Sequence, residues 1–318
     1  VWSSIIFDAE TPRLLYIGWK FQVEAPYPEV EGEPLSFIVN FERFFNAMKL
    51  SKNPTLSLKD DSLIIQSDRT KWELRNLDLD YSNHLLTIPE QLDRKPMPEN
   101  LRRDIQFCMI AAEKDRMEYT KHGVVLADDM MFAMDTNSAI ALVDTSGLVD
   151  TPVLLHYPWC QVIEEVGEIK TIAQEDLGQQ SANMYLELDN GFHLSIPTLK
   201  MHPNPSIKPY VESFDSHYDI LVNESYVKRL AITTDNAYQF ATVFSENGEL
   251  FMESNSNTKG RTVIPIGEGS MGGESATVSL KFLKNVANIS GKLKLDLDNM
   301  VGFTTVDSLN YLYAFGLG

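Results

Sequence analysis

The residue types that do chemistry are present in this chain, but their spacing does not assemble them. The six histidines, His84, His122, His156, His193, His202 and His217, include no i, i+4 pair, so the helical zinc motif is missing and a metal site is not expected. The acid pairs Asp78/Asp80 and Asp296/Asp298 alternate with leucine. On a strand, that period of two predicts solvent-facing carboxylates without metal or acid–base work. GEGSMGG, from Gly267, lacks the Lys-Ser/Thr of a phosphate loop and has the wrong spacing for a nucleophile turn, so it reads as a mobile linker between strands. Cys108 and Cys160 lie in apolar helical contexts and read as reduced core thiols. The expectation is a protein that is not an enzyme and holds no cofactor.

With 318 residues the chain has room for two or three domains. No run of about 18 apolar residues is present, so no helix is expected to span a membrane. The opening VWSSIIFDAE has neither the basic region nor the apolar core of a secretory signal. The formal net charge is -18, which by itself argues against nucleic-acid binding, because phosphate neutralisation needs Lys and Arg. The distribution of that charge changes the inference.

The elements that must position any site repeat three times. Alternating strand patterns flank polar turns at Asp8-Ala9-Glu10, Asp128-Asp129 and Glu246-Asn247-Gly248, a spacing of about 120 residues. Each hairpin leads to a strand and a short amphipathic helix: PLSFIVNFERFFNAMKL from Pro34, TPVLLHYPWCQVIEEVG from Thr151 and ATVSLKFLKNVANIS from Ala276. A second hairpin follows each helix. Proline-rich joints, DRKPMPEN and MHPNPSIKP, separate the repeats. Three sheet-rich α+β domains are expected at 1–92, 93–205 and 206–318. The second and third repeats open with helices, MPENLRRDIQFCMIAAEKDR and VNESYVKRLAITTD. By analogy the first repeat is short of roughly 20 residues at its start.

The scarce cations fall on these helices. Phe41, Phe44, Phe45 and Met48 form one core stripe, with Arg43, Lys49 and Lys52 outside it. Leu280, Leu283, Val286 and Ala287 form another, opposite Lys281, Lys284, Asn285 and Asn288 at i, i+3, i+4 and i+7. Arg102, Arg103, Lys114 and Arg116 decorate the second-repeat helix, and Lys228 and Arg229 the third-repeat one. The helix from Pro158 departs from this trend, with Gln161, Glu164, Glu165 and Glu168 outside. Taken singly each basic face reads as an ordinary solvated helix surface; its repetition over three repeats weighs towards a shared role, such as lining a path for DNA.

Tandem repeats with basic helices resemble the bacterial DNA sliding clamp, the beta subunit of the replicative polymerase. The resemblance runs over nearly the whole chain. It is densest in QFCMIAAEKDRMEYTKHGVVL, LIIQSDRTKWEL, FSENGELFMESNS and the terminal YLYAFGLG. It implies a head-to-tail homodimer closing a ring around duplex DNA, helices lining the hole and antiparallel sheets outside. It also implies a cytoplasmic protein whose partners are double-stranded DNA, the replicative DNA polymerase and a clamp loader. Carried over residue by residue, the dimer contact falls on Trp72 and Leu74 against Ile232. The pocket for partner peptides falls on Met134, Asp135, Thr136, Asn137, Pro203, Val301, Tyr313, Ala314 and Phe315.

The pocket departs from the family pattern. The family's Thr-Asp-Gly-His-Arg-Leu loop stands here as Met134-Asp135-Thr136-Asn137-Ser138-Ala139, and its Met-Pro-Met tail as Ala314-Phe315-Gly316. A different partner peptide is implied, as in a phage-encoded or otherwise self-contained replication system. The competing class is a structural or interaction protein, a virion β-domain or clamp-like decoy, that does not encircle DNA; the acidic helix near Glu164 is the feature that favours it.

Overall fold

The computed structural model describes all residues except 1–2, 11–12, 19–21, 30, 78–87, 113–121, 136–138, 146, 203–206, 235–238 and 307–310. Its helices are α1 (Phe41–Lys49), α2 (Leu101–Cys108), α3 (Tyr157–Glu165), α4 (Ile207–Glu212), α5 (Glu224–Ile232) and α6 (Leu280–Ile289). The remaining regular structure is strands, and the ladders are antiparallel. No helix among the described residues is long and apolar enough to cross a membrane.

The repeat seen in the sequence is a repeat of strand order. In each copy the third, second, first and fourth strands lie side by side in that order. They are 22–26, 13–17, 4–8 and 37–40; 140–144, 130–134, 123–126 and 153–156; and 260–268, 249–256, 240–246 and 275–279. The fourth strand then runs without a loop into a helix, at Asn40/Phe41, His156/Tyr157 and Ser279/Leu280. Asn40 makes that transition explicit, its side chain accepting from the Arg43 N–H at 3.1 Å and capping α1. Asn223 does the same for Tyr226 N–H at the start of α5.

Counted from these junctions, Phe44, Cys160 and Leu283 are equivalent, as are Ala47, Ile163 and Val286. All six are buried, three residues apart on one helix face. The turn at Asn247-Gly248 has φ of 54° and 84°, the paired left-handed geometry that suits a two-residue hairpin between twisted strands. Gly123 is fixed by a different demand. A Cβ there would lie 2.1 Å from the Leu155 carbonyl oxygen, so only glycine lets strands 123–126 and 153–156 approach.

The chain divides into two compact units, 1–98 with 165–200, and 99–164 with 201–318. In the first unit a ladder joins repeats: strand 193–200 pairs with 22–26, placing His193 opposite Glu24 and Leu194 opposite Val23. In the second unit strand 311–316 pairs with 140–144, placing Leu312 opposite Leu142 and Tyr313 opposite Ala141. In both, the last strand of a repeat is added to the third strand of the repeat before it.

Two sequence expectations are corrected. Phe45 is 52 % exposed and stacks on Phe41 instead of entering the core, because its place on α1 is that of Lys284 on α6. GEGSMGG is no mobile linker: Met271 is buried and its N–H donates to Ser245 Oγ at 2.8 Å, while Gly269 N–H donates to Gly248 O at 2.9 Å. Strand 55–59 is the edge of its three-stranded sheet, whereas its counterparts 169–176 and 292–296 carry strands 94–96 and 218–221. Leu50, the counterpart of the half-buried Ile289, is 75 % exposed.

Candidate nucleic-acid interface

Helix α6 carries the clearest cationic face. Phe282, Leu283 and Val286 hold it on a core shared with Leu230 and Val227 of α5, and Lys281, Lys284 and Asn288 are left exposed. No acidic residue lies on this helix. Lys281 therefore stands in the first turn, where the helix dipole disfavours a cation. The structure offsets this with a carboxylate: Lys281 Nζ donates to Asp135 Oδ2 at 3.0 Å. Asp135 Oδ1 accepts from Ala139 N–H at 2.9 Å, so the buried acid is held by its own loop. Nearby Asn285 Nδ2 donates to Tyr313 Oη at 2.8 Å. Burial, and secondarily the charge of Asp135, push the Tyr313 phenol well above its ordinary value, against the opposing Asn285 bond.

Between α6 and the C-terminal end of α2 opens a cleft of about 540 Å³ lined by Gln106, Met109, Ile110, Asp135, Lys281, Lys284, Asn285 and Asn288. Its polar groups are cationic or amide, apart from Asp135. That suits phosphate oxygens at the rim. On α2, Arg102 is half-buried and Arg103 lies with its guanidinium 4.6 Å from the centre of the Tyr311 ring. Tyr311 Oη donates to the buried Asp104 Oδ1 at 2.6 Å. Burial raises the Asp104 carboxyl above its usual range, opposed by that bond and by Arg103. On α5, Lys228 pairs with Glu224 at 2.6 Å, an exposed i, i+4 ion pair, and Arg229 is exposed. Arg43, Lys49 and Lys52 are exposed on or just past α1. Lys114 and Arg116 lie outside the described residues.

The residues carried over for a peptide pocket are distributed unevenly. Met134 is half-buried, while Val301, Tyr313, Ala314 and Phe315 are buried strand residues, Phe315 stacking on Phe282 at 4.8 Å. Thr136, Asn137 and Pro203 lie outside the described residues. Asp135, assigned to the pocket, and Lys281, assigned to DNA, are brought together, as are Tyr313 and Asn285. Trp72 and Leu74 are half-buried against the first-repeat core, and Ile232 is 71 % exposed. Sequence reasoning missed the buried acid Asp104 and the cleft residue Gln106, which share α2 with the arginines; the one available signal for Asp104 was an acid flanked by the apolar stripe.

Among the described residues no group of three or more His, Cys, Asp or Glu is placed to hold a metal ion. Both cysteines are buried; burial pushes the Cys160 thiol up to about 12 and the Cys108 thiol well above its ordinary value. Asp296 is buried, not solvent-facing as its alternation suggested. It accepts from Asp215 N–H at 2.9 Å and from Asn299 N–H and Nδ2 at 3.0 and 2.8 Å, so it is a structural acceptor that fixes a turn.

The α+β repeat, with antiparallel strands in this order and a helix after each fourth strand, is the fold of the bacterial DNA polymerase sliding clamps. The chain aligns with the beta subunit of DNA polymerase from Streptococcus pyogenes at a TM-score of 0.79 and 13% identity, covering 99% of this chain and 91% of that one. The sliding clamp of Pseudomonas aeruginosa aligns at 0.76 and 15% identity, with 99% and 91% covered. The DNA polymerase III beta subunit of Thermotoga maritima aligns at 0.75 and 15%, again with 99% and 91% covered. No protein-family model matches the sequence, and no curated protein matches it.

Proposed function

We propose that this chain is a DNA sliding clamp, a polymerase processivity factor that encircles duplex DNA without reading its sequence. The observation that carries the reading is the placement of exposed cations on α1, α5 and α6 in a chain of net charge -18 that has the clamp fold. Flexible Lys and Arg side chains meet phosphates as point charges and leave register free, so the ring slides. The acidic remainder repels DNA from the outer surface. The protein does no chemistry; it keeps a polymerase at high effective concentration near the primer end.

In this reading the repeats 1–92, 93–205 and 206–318 are the three clamp domains, and two copies close the ring in the cytoplasm. A clamp loader opens it. The loop Met134–Ala139 and the chain end receive partner peptides whose sequence differs from the bacterial one, since both segments depart from the family's loop and tail. The test is primer extension on a long circular template with the cognate polymerase and loader. Longer products in the presence of the chain are expected, and unchanged product length overturns the reading.

A further inference from the structure

Asp104 interrupts the apolar side of α2. It stands among Leu101, Ile105 and Cys108, all buried, and is itself only 7 % exposed. A carboxylate taken out of water is costly unless it is hydrogen-bonded, and the dipole of the first helical turn offsets only part of that cost. Its partner lies 207 residues along the chain, where Tyr311 Oη donates to Asp104 Oδ1 at 2.6 Å. One residue before the acid, the exposed Arg103 holds its guanidinium 4.6 Å from the centre of the same tyrosine ring.

Tyr311 has little freedom of its own. Its backbone lies between two ladders, opposite Val143 of the second repeat and Val306 of the third. Phe107 packs on its ring in a T-shaped contact, with centroids 5.2 Å apart and planes at 71°. The bond to Asp104 then pins the phenol end. A ring fixed in this way is a platform for a cation. A guanidinium over a ring face is attracted by the ring quadrupole and keeps its in-plane N–H donors for other acceptors. An arginine so confined has less rotamer freedom to lose on meeting a phosphate than a lysine in solvent has. The buried carboxylate adds a charge of the right sign, and Arg103 in turn opposes the effect of burial on that acid. Gln106 stands three residues on from Arg103, on the same side of α2, and lines the cleft with Lys284. Arg103 therefore lies beside the cationic rim.

Resting on the clamp reading above, we infer that Asp104 is a positioning residue for DNA: through its hydrogen bond to Tyr311 it holds the ring on which Arg103 is set to meet a phosphate. The arginine comes from the second repeat and its platform from the last strand of the third. This phosphate contact is complete only where the two repeats are joined. Leucine at position 104 would continue the apolar side of α2, whereas the acid anchors the platform.

Equilibrium binding to a short linear duplex over a range of salt reads the contact, because each phosphate contact contributes about 0.9 to the salt slope. Arg103→Gln is expected to lower the slope by about one and the affinity several-fold. Asp104→Leu leaves Arg103 in place and suits the apolar side of the helix, yet should show the same loss. Added to Arg103→Gln it should cost nothing further, since both remove one contact. Asp104→Asn keeps an acceptor for the Tyr311 hydroxyl and should retain the wild-type slope. Tyr311→Leu removes the ring and should match Arg103→Gln, which decides the matter if Asp104→Leu does not fold. A wild-type slope in Arg103→Gln or in Tyr311→Leu overturns the positioning role. So do additive losses, or an Asp104→Asn chain that loses as much as Asp104→Leu. Each of these leaves the clamp reading to its own test on a circular template. A wild-type chain that neither binds the duplex nor lengthens primer-extension products overturns both.

Discussion

Lys281 Nζ lies 3.0 Å from Asp135 Oδ2, and the carboxylate is nearly sealed from solvent at 4 % exposure while its lysine is 59 % exposed. The pair makes Lys281 a different cation from Lys284, three residues further along the same face. Lys281→Gln leaves a buried acid without its charged donor and should cost about 1–3 kcal/mol, a range that solvent screening of the exposed lysine holds below that of a fully buried pair. Lys284→Gln should change stability by no more than about 0.5 kcal/mol in urea unfolding. For DNA the order reverses. Each phosphate contact contributes about 0.9 to the salt slope, so Lys284→Gln should lower the slope by about one and Lys281→Gln by clearly less. Equal losses would show that Lys281 leaves Asp135 for phosphate.

Neighbouring phenylalanines on α1 should behave as opposites. Phe44 is buried and tilts against Phe7 at 5.5 Å, so Phe44→Ala should cost about 3–5 kcal/mol. Phe45 is exposed, and Phe45→Ser should stay within about 0.5 kcal/mol. Comparable destabilisation by both in chemical denaturation would place Phe45 in a contact that the single chain lacks.

Gly123→Ala should destabilise by about 1–3 kcal/mol or more, because a Cβ 2.1 Å from the Leu155 oxygen forces strands 123–126 and 153–156 apart. Alanine at Gly248, where nothing lies within 4 Å of the added Cβ, carries only the strain of φ 84° and should cost about 1–2 kcal/mol. Thermal unfolding of the two variants separates steric from conformational cost.

Asp296 gives the acid limb a specific origin. Burial pushes its carboxyl up, but hydrogen bonds from Asn299 and from Asp215 N–H, with the nearby His217, outweigh that and hold it below the usual carboxylate range. A lowered folded value means that its contribution is complete above the unfolded value near 3.8 and is lost as pH falls through the folded one. The stability gap between the wild-type chain and Asp296→Asn should therefore narrow as pH drops from about 5 to about 2. A gap independent of pH would rule this origin out.

Both thiols should resist alkylation in the folded chain. Cys108 and Cys160 are buried, and burial keeps them protonated at neutral pH. Iodoacetamide labelling is expected to track global unfolding in urea; labelling in native buffer would reveal local opening around α2 and α3.

Much of the fold was legible because its signals are local. Turn residues at Asn247-Gly248 and apolar residues at helical spacing on α1 and α6 each act within a few residues of themselves. Alternation was a weaker guide. It marked Asp296 as solvent-facing, because period two says which face a residue takes but not whether that face is covered. The stripe on α1 admitted Phe45 for the same reason. The candidate site was legible as a set of cations and illegible as a set of contacts, since nothing in the spacing links Asp135 to Lys281 or Asn285 to Tyr313.

By itself the sequence determined the threefold repeat, the α+β class and the concentration of cations on helices, all of which follow from periodicity and composition. Only the tertiary structure decided which of those cations is already neutralised, which apolar residues are left uncovered, and which strand edges stay open. These depend on residues distant in the chain meeting in space, as Asp135 meets Lys281 and as strand 140–144 meets 311–316. Contacts of that separation leave no mark on local spacing, because the chain between them sets their geometry.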